Sequence, residues 1–349
     1  MKLTSVKAIY PKYKNVGTSW RTHLWQIVVK IETNTGITGY GYGGGGKASL
    51  PIINGHFEEL LCNRDLNSVD DIKAIWEDLY FESIPYGRKG IAIMALSGID
   101  LALWDLLGKA ENYPVYKLIG TKTKDKIRAY ATGTDVEWYK ETGFTAYKFP
   151  HRWNSDKDYQ TAFDTSEIAR KIMGPESLIM IDTYMSWNSH VTIKMSETLQ
   201  EHDIYWFEDV TTPDDLEPQS ILREKVKPTL IAGGEHEFTR HGFGELAKSK
   251  ALDLWQPDIT WCGGITAALK IMDIANKENI PVVPHRGGEP WGIHFIASTQ
   301  CENLAEILPG SKDTPTDDLW IGEKTTQNGF THPSDKSGFG VYPNPDLLP

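Results

Sequence analysis

Five short apolar runs in the middle of the chain each end on a group that can bind metal or move protons. They read SLIMIDTY, IYWFEDV, TLIAGGEHE, LDLWQPDIT and IPVVPHRGG, and they close on Asp182, Glu208, Glu235, Asp258 and His285. Successive members of this set stand 26, 27, 23 and 27 residues apart. That period accommodates one buried strand and one crossover helix, the repeating unit of a parallel α/β barrel. In such a barrel the active site collects at the C-terminal ends of the strands. Five ionisable groups delivered to that one place are hard to account for by packing.

The same reading extends in both directions. IRAYATG (127–133) and FTAYKFP (144–150) supply strands one and two, the five runs supply strands three to seven, and AEIL (305–308), carrying Glu306, supplies the eighth. Helical segments fit between them near 135–142, 157–173, 189–202, 213–226, 239–249, 264–278 and 291–301. Beyond Pro309 the chain is Asp-, Gly- and Pro-rich without a helical period, so the last helix is missing. The expected fold class is α/β: a (β/α)7β TIM-like barrel.

An N-terminal α+β capping domain is expected ahead of the barrel. Residues 1–10, 24–32 and ITGYGYGG read as three antiparallel strands, followed by helical patterns at 50–61, 69–79 and 88–110. The last of these is almost continuously apolar and reads as a buried helix. The predicted boundaries are 1–122 for the cap, completed by the tail 315–349, and 123–314 for the barrel.

A chain of 349 residues has room for two such units. Its net charge of −11 argues against nucleic acid or an anionic membrane as a partner. An anionic small molecule stays compatible, because a bound cation reverses the local field. Cys62, Cys262 and Cys301 are widely spaced and odd in number, which speaks against a disulfide framework. The N-terminus shows no apolar run of signal-peptide length, and no stretch reads as the roughly 18 apolar residues of a membrane span. A cytoplasmic protein is expected.

Asp182, Glu208 and Glu235 at adjacent strand ends would repel one another without a cation among them. Oxygen-only ligands select a hard ion, Mg²⁺ before Mn²⁺ or Ca²⁺. Asp258 and His285 fall on neighbouring strands, where a carboxylate on one imidazole nitrogen fixes the tautomer and raises the basicity of the other. A metal beside a basic histidine suggests removal of the α-proton of a carboxylate substrate, after which a hydroxyl on the next carbon leaves as water.

The carboxylate series, with QPD ending at Asp258 and VPH ending at His285, resembles the enolase superfamily in its mandelate racemase branch. The chain is similar, more narrowly, to L-rhamnonate dehydratases and related acid-sugar dehydratases through DTYMSW (182–187), GGEHEFT (233–239), QPDITWCGG (256–264), VVPHRGG (282–288) and SGFGV (337–341). The resemblance covers nearly the whole chain. It implies Mg²⁺ on the three carboxylates, a His285–Asp258 base, a small acid-sugar substrate and a homo-oligomer.

Racemases of that branch carry Lys-x-Lys at the end of strand two. Here Lys148 fills the first position and Pro150 the second, so a second base is missing and a single-base dehydration is favoured over racemisation. Lys148 is expected to neutralise the substrate carboxylate. Glu306 matches a strand-eight glutamate and, if protonated, would donate a hydrogen bond to the developing oxyanion. His236 would line the pocket or help the hydroxyl leave. Arg21 and His23 lie in the cap loop over the barrel mouth, and Arg286 and Trp291 lie just past strand ends; all four are expected to touch the sugar. The substrate order is L-rhamnonate, then D-gluconate, D-galactonate, D-arabinonate or L-fuconate. The competing readings are an epimerase or lactone-forming cycloisomerase on the same scaffold, and a non-catalytic sugar-acid binder.

Overall fold

The computed structural model describes residues 1–13, 21–314, 319–322 and 326–349. Residues 14–20 of the polar insertion before the second strand, and 315–318 and 323–325 of the tail, lie outside the described residues.

β1 (Leu3–Ile9), β2 (Ile27–Thr33) and β3 (Thr38–Gly43) form an antiparallel sheet in that order. A short helix that the alternation pattern did not announce, α1 (Arg21–Leu24), leads into β2. One face of the sheet is covered by helices. α2 (Gly46–Pro51) continues through a wide turn into α3 (Glu58–Leu61), and then come α4 (Val69–Ser83), α5 (Ile91–Ala110) and α6 (Val115–Ile119). α4 starts where the Ser68 hydroxyl accepts from the Asp71 N–H, satisfying one orphan donor of the first turn. β3 presents Gly41 to α5, where a Cβ would stand 2.0 Å from the Gly98 carbonyl oxygen. Only a residue without a side chain lets the strand lie this close to the helix backbone. α5 corrects one sequence expectation. It is long and apolar enough to cross a membrane, but 89% of its apolar window is buried inside the protein.

The barrel strands are β4 (Ile127–Thr132), β5 (Ala146–Pro150), β6 (Leu178–Asp182), β7 (Ile204–Glu208), β8 (Leu230–Gly233), β9 (Leu254–Trp255) and β10 (Leu304–Ile307). They run parallel in the order β10-β4-β5-β6-β7-β8-β9. α7 (Val136–Glu141), α8 (Lys157–Met173), α9 (Ser189–Thr198), α10 (Leu216–Lys225), α11 (Thr239–Ser249), α12 (Gly264–Glu278) and α13 (Pro290–Ser298) alternate with them.

The seventh stave departs from expectation. Residues 281–285 make an isolated bridge, Trp255 with Val282, in place of a regular strand. Pro281 and Pro284 have no N–H to give a ladder. The barrel still closes there, because Trp255 N donates to Pro281 O, Val283 N to Trp255 O and Glu302 N to Val282 O, each at 2.9 Å. Asp182 and Glu208 are the last residues of their strands, as expected. Glu235 and Asp258 lie beyond theirs, past Gly234 at φ +114 and Pro257 respectively.

The interior is organised in tiers. Tyr130, Ala146, Met180, Trp206, Ala232, Leu254, Val283 and Leu304, one from each stave, form a single buried apolar cluster. Side chains two residues apart on a strand share a face. The next inward positions are therefore Thr132, Lys148, Asp182, Glu208, Gly234, Gln256, His285 and Glu306. An apolar floor thus carries a polar tier.

The tail adds β11 (Trp320–Gly322), β12 (Phe330–Thr331) and β13 (Val341–Pro343). β12 pairs with Ile127 and Arg128 of β4, while β11 and β13 pair with each other. Between them the chain meets the cap helices. Phe339 N donates to Asp105 Oδ1 at 3.1 Å, and Val115 N donates to Gly338 O at 2.9 Å.

Candidate active site

The polar tier is a network of buried charges. Lys148 Nζ pairs closely with Glu208 Oε1, stands 2.8 Å from Glu306 Oε1 and lies 3.9 Å from Asp182 Oδ2. Glu208 Oε2 accepts from Trp206 Nε1 at 3.0 Å and from Gln256 Nε2 at 2.7 Å. Every oxygen of Glu208 therefore has a donor. Even so, burial pushes its carboxyl above the ordinary range, against the pull of Lys148 and with the push of Asp182 and Glu306.

Two expectations about this tier meet opposing surroundings. The protonated Glu306 expected from the sequence stands among groups that favour its charged form. Burial would raise its carboxyl, but Lys148, His285 and the Thr132 hydroxyl hold it down at about 2. The Arg286 N–H adds a bond of 2.7 Å to its other oxygen. Lys148, 1% exposed, spends its charge on Glu208 and Glu306, so it is no free cation for a substrate carboxylate.

His285 Nδ1 lies 2.8 Å from Asp258 Oδ2. The other Asp258 oxygen accepts from the Thr260 N–H at 2.7 Å and the Thr260 hydroxyl at 2.6 Å. The carboxylate is thereby aimed, and its pKa is lowered despite burial, chiefly by His285. The aim extends into the cap: Gln26 Nε2 donates to Thr260 Oγ1 at 2.7 Å, and Gln26 Oε1 accepts from Trp261 Nε1 at 2.6 Å. His285 Nε2, the outward nitrogen, stands 3.2 Å from Glu235 Oε2. Burial would lower the imidazolium, yet Glu235, Asp258 and Glu306 raise it to about 10. With Asp258 accepting at Nδ1, Nε2 is the nitrogen left for proton transfer.

Sequence reasoning missed Asp209. It follows Glu208 directly and sits in the left-handed region at φ +49, which Asp tolerates and which breaks the strand alternation. Among the described residues, Asp209, Glu235 and His236 offer ligand atoms all within 4.8 Å of one another. Asp182 and Glu208 stand on neighbouring strands with Lys148 drawn in beside both. Burial pushes Glu235 up to about 7, with Asp182 and Glu208 adding to the rise, and raises Asp209 well above the carboxylate range for the same reasons. This is an excess of buried negative charge on hard oxygen donors. The residues fit a divalent cation, with Asp182, Glu208 and Glu235 able to hold it.

The predicted substrate contacts divide. Arg21 stacks over Trp25 at 4.7 Å, and its charge is felt by Arg286, Tyr184, Glu235 and Asp182, which places it above the carboxylates. His23 is exposed. Arg286 is buried, bonded through Nε to Glu289 at 2.9 Å, and lies over the rings of Trp25 and Tyr42. Trp291 corrects its expectation: it is 1% exposed and packs edge-on to Trp320 and Phe339, because α13 turns that face toward the tail. His236 does reach the site and stacks on Trp261, whose ring also flanks His285 at 5.7 Å. The glycine run after β3 has a packing role, since a Cβ on Gly44 would stand 2.7 Å from the Trp261 ring.

A two-part fold of this kind, with carboxylates and a His–Asp pair at the mouth of a parallel barrel, matches two family models. Residues 5–120 match the mandelate racemase / muconate lactonizing enzyme N-terminal domain, and residues 132–347 match the enolase C-terminal domain-like family. The chain belongs to the mandelate racemase / muconate lactonizing enzyme family of the enolase superfamily. It is 34% identical over 98% of its length, and 87% of the other's, to a protein of Caldivirga maquilingensis that carries the provisional name L-rhamnonate dehydratase. Its structure is similar to L-rhamnonate dehydratase from Gibberella zeae at a TM-score of 0.90 and 32% identity, covering 99% of this chain and 95% of that one. The same Gibberella enzyme has been solved complexed with Mg. The 3,6-anhydro-D-galactonate cycloisomerase from Zobellia galactanivorans is similar at a TM-score of 0.89 and 27% identity, covering 100% of both chains.

Proposed function

We propose that this chain is a Mg²⁺-dependent hydro-lyase that converts an aldonic acid sugar to its 2-keto-3-deoxy acid, with L-rhamnonate as the first substrate. The observation that carries the reading is a one-sided base. The His285–Asp258 pair at 2.8 Å stands on one side of the tier, while two residues past Lys148 the chain places Pro150, which transfers no proton.

Asp182, Glu208 and Glu235 would hold the cation. When bound, it supplies positive charge that binds the substrate carboxylate and acidifies the neighbouring C2 proton. A cation on Glu235 would offset the carboxylate that otherwise holds the His285 imidazole protonated. His285 Nε2 then takes the C2 proton, and Asp258 steadies the imidazolium through Nδ1. The imidazolium then returns the proton to the C3 hydroxyl, which leaves as water when proton and hydroxyl share a face. The resulting enol gains a proton at C3 to become the keto acid. Lys148 keeps Glu208 and Glu306 in place, and Glu306 anchors the Arg286 backbone beside His285. Arg21 offers several donors to a polyhydroxylated anion.

The test is a panel of aldonic acids with Mg²⁺, read by a keto-acid assay, with L-rhamnonate, D-gluconate, D-galactonate, D-arabinonate and L-fuconate as the first members. Keto acid with one solvent deuterium at C3 in D₂O is expected. A lactone, or a C2 epimer without keto acid, would select the alternative reading, isomerisation on the same scaffold. Likeness to the cycloisomerase over both full chains favours that alternative.

A further inference from the structure

The hydrogen bonds behind Asp258 all run in one direction, and they pass through the cap. The Trp261 indole nitrogen can only donate, so its bond of 2.6 Å to Gln26 fixes the amide oxygen on the indole side. The amide nitrogen is thereby turned to Thr260 and donates to its hydroxyl at 2.7 Å. A hydroxyl carries one proton and sends it away from an incoming donor. Thr260 accordingly donates to Asp258 Oδ1 at 2.6 Å. The other oxygen of Asp258 meets His285 Nδ1 at 2.8 Å. Gln26, Thr260 and Asp258 are all buried, where water does not compete for these groups.

Gln26 directly precedes β2, and its segment is braced from several sides. The Tyr13 hydroxyl donates to the Gln26 carbonyl at 3.0 Å. Trp25 stands edge-on to Trp261 at 6.4 Å, with the Arg286 guanidinium over its ring at 5.1 Å. Arg21, over the same ring at 4.7 Å, is the cation above the carboxylates. Residues 21–26 therefore link that cation to the amide behind the His285–Asp258 pair. A methionine would fill the space of Gln26, but the Thr260 hydroxyl would then turn without constraint.

We propose that Gln26 is a positioning residue for the reaction, a role that rests on His285 being the base. It supplies the donor that locks the Thr260 hydroxyl onto Asp258 and, through Asp258, sets the His285 imidazole. The base is thus aimed from the cap as well as from the barrel, and one cap segment carries both that aim and the Arg21 cation.

The experiment compares Gln26→Met, Thr260→Val, Thr260→Ser and the double variant Gln26→Met/Thr260→Val in the full-length chain, with Mg²⁺ and the aldonate that the wild type turns over. Gln26→Met and Thr260→Val are each expected to lower kcat by about 10–100-fold, the cost of a misplaced reacting group. KM is expected to stay within about twofold of wild type, since ground-state binding is untouched. The double variant should be no slower than the slower single variant, because the two residues act as one chain. Thr260→Ser, which keeps the hydroxyl, should restore kcat. The isotope effect on kcat with C2-deuterated substrate should rise in both slow variants, whereas a purely structural fault leaves it unchanged. Gln26→Glu keeps the acceptor for Trp261 and removes the donor to Thr260, and it repeats the measurement should Gln26→Met fold poorly.

The His285 Nδ1–H resonance of ¹⁵N-histidine-labelled protein, assigned by its absence in His285→Asn, reads the same positioning without substrate. It is expected to shift in Gln26→Met and Thr260→Val and to return in Thr260→Ser. Wild-type kcat in Gln26→Met, losses that multiply in the double variant, or an unmoved resonance in both single variants overturns the positioning role. A wild type that turns over no aldonate, or a His285→Asn variant that keeps its turnover, counts against the dehydratase reading instead, and the resonance still decides whether Gln26 sets the imidazole.

Discussion

Lys148 Nζ stands 2.8 Å from Glu306 Oε1, and each side chain is 1% exposed. The pair joins staves β5 and β10 across β4, with Glu208 as the third member of the cluster. Truncating the lysine strands two carboxylates in the interior. Lys148→Met is therefore expected to lose about 3–5 kcal/mol of stability by urea unfolding. Lys148→Met/Glu306→Gln should recover part of that loss, because one stranded charge is removed. A loss within the error of the measurement would mean that the lysine is not what neutralises these carboxylates.

His285→Asn keeps a polar side chain beside Asp258 but has no titratable nitrogen. Turnover on the active aldonate is expected to fall by about 10²–10⁴, the range of general acid–base catalysis. Mg²⁺ affinity measured by calorimetry should stay near that of the wild type. Near-normal turnover would remove the histidine from the role of base.

The crowded carboxylates make the native state the form that binds Mg²⁺. At about 100 times the dissociation constant, a ligand specific for the folded state adds about 2.7 kcal/mol. A corresponding rise in melting temperature with Mg²⁺, reversed by EDTA, is expected. Asp182→Asn should lessen it strongly, and an equal rise in that variant would exclude Asp182 as a ligand.

Asp100 on α5 accepts from Thr266 N at 3.0 Å, at the start of α12, and its carboxyl is pushed up to about 7 by burial. The unfolded chain releases this proton near pH 4. Between pH 4 and 7 the folded state holds a proton that the unfolded state has lost. Stability from this group is thus full at low pH and declines as pH rises through 7, by roughly 4 kcal/mol at most. Asp100→Asn, which keeps the acceptor, should gain on the wild type at pH 8 and show little gain at pH 4. A gap independent of pH would contradict this.

The architecture was legible because its signals are periodic. Asp182 and Glu208 end their strands as the apolar runs indicated, and the helix over 157–173 is α8 itself. What escaped was set by backbone detail. Pro281 and Pro284 reduce the seventh stave to a bridge, yet His285 still points inward because the two-residue repeat from Val283 persists. Asp209 was passed over because strand alternation would send it away from Glu208, and its positive φ has no mark in the sequence. Trp291 looked like a rim residue from its place after a strand end, but burial against Trp320 and Phe339 depends on where the distant tail returns. Glu306 was legible as a position but not as a charge state, which is decided by Lys148, a residue 158 positions earlier.

Trp206 belongs to the apolar floor, and its indole N–H holds Glu208 from beneath. The polar tier is thus footed on a buried apolar floor, whereas Arg21 on α1 and Tyr184 and Trp261 on connecting segments stand above it. Foundations and rim can change at different rates. Swapping rim loops would alter which small molecule is accepted while the ensemble below keeps its posture, so one sequence lineage could explore many substrates without rebuilding what lies beneath.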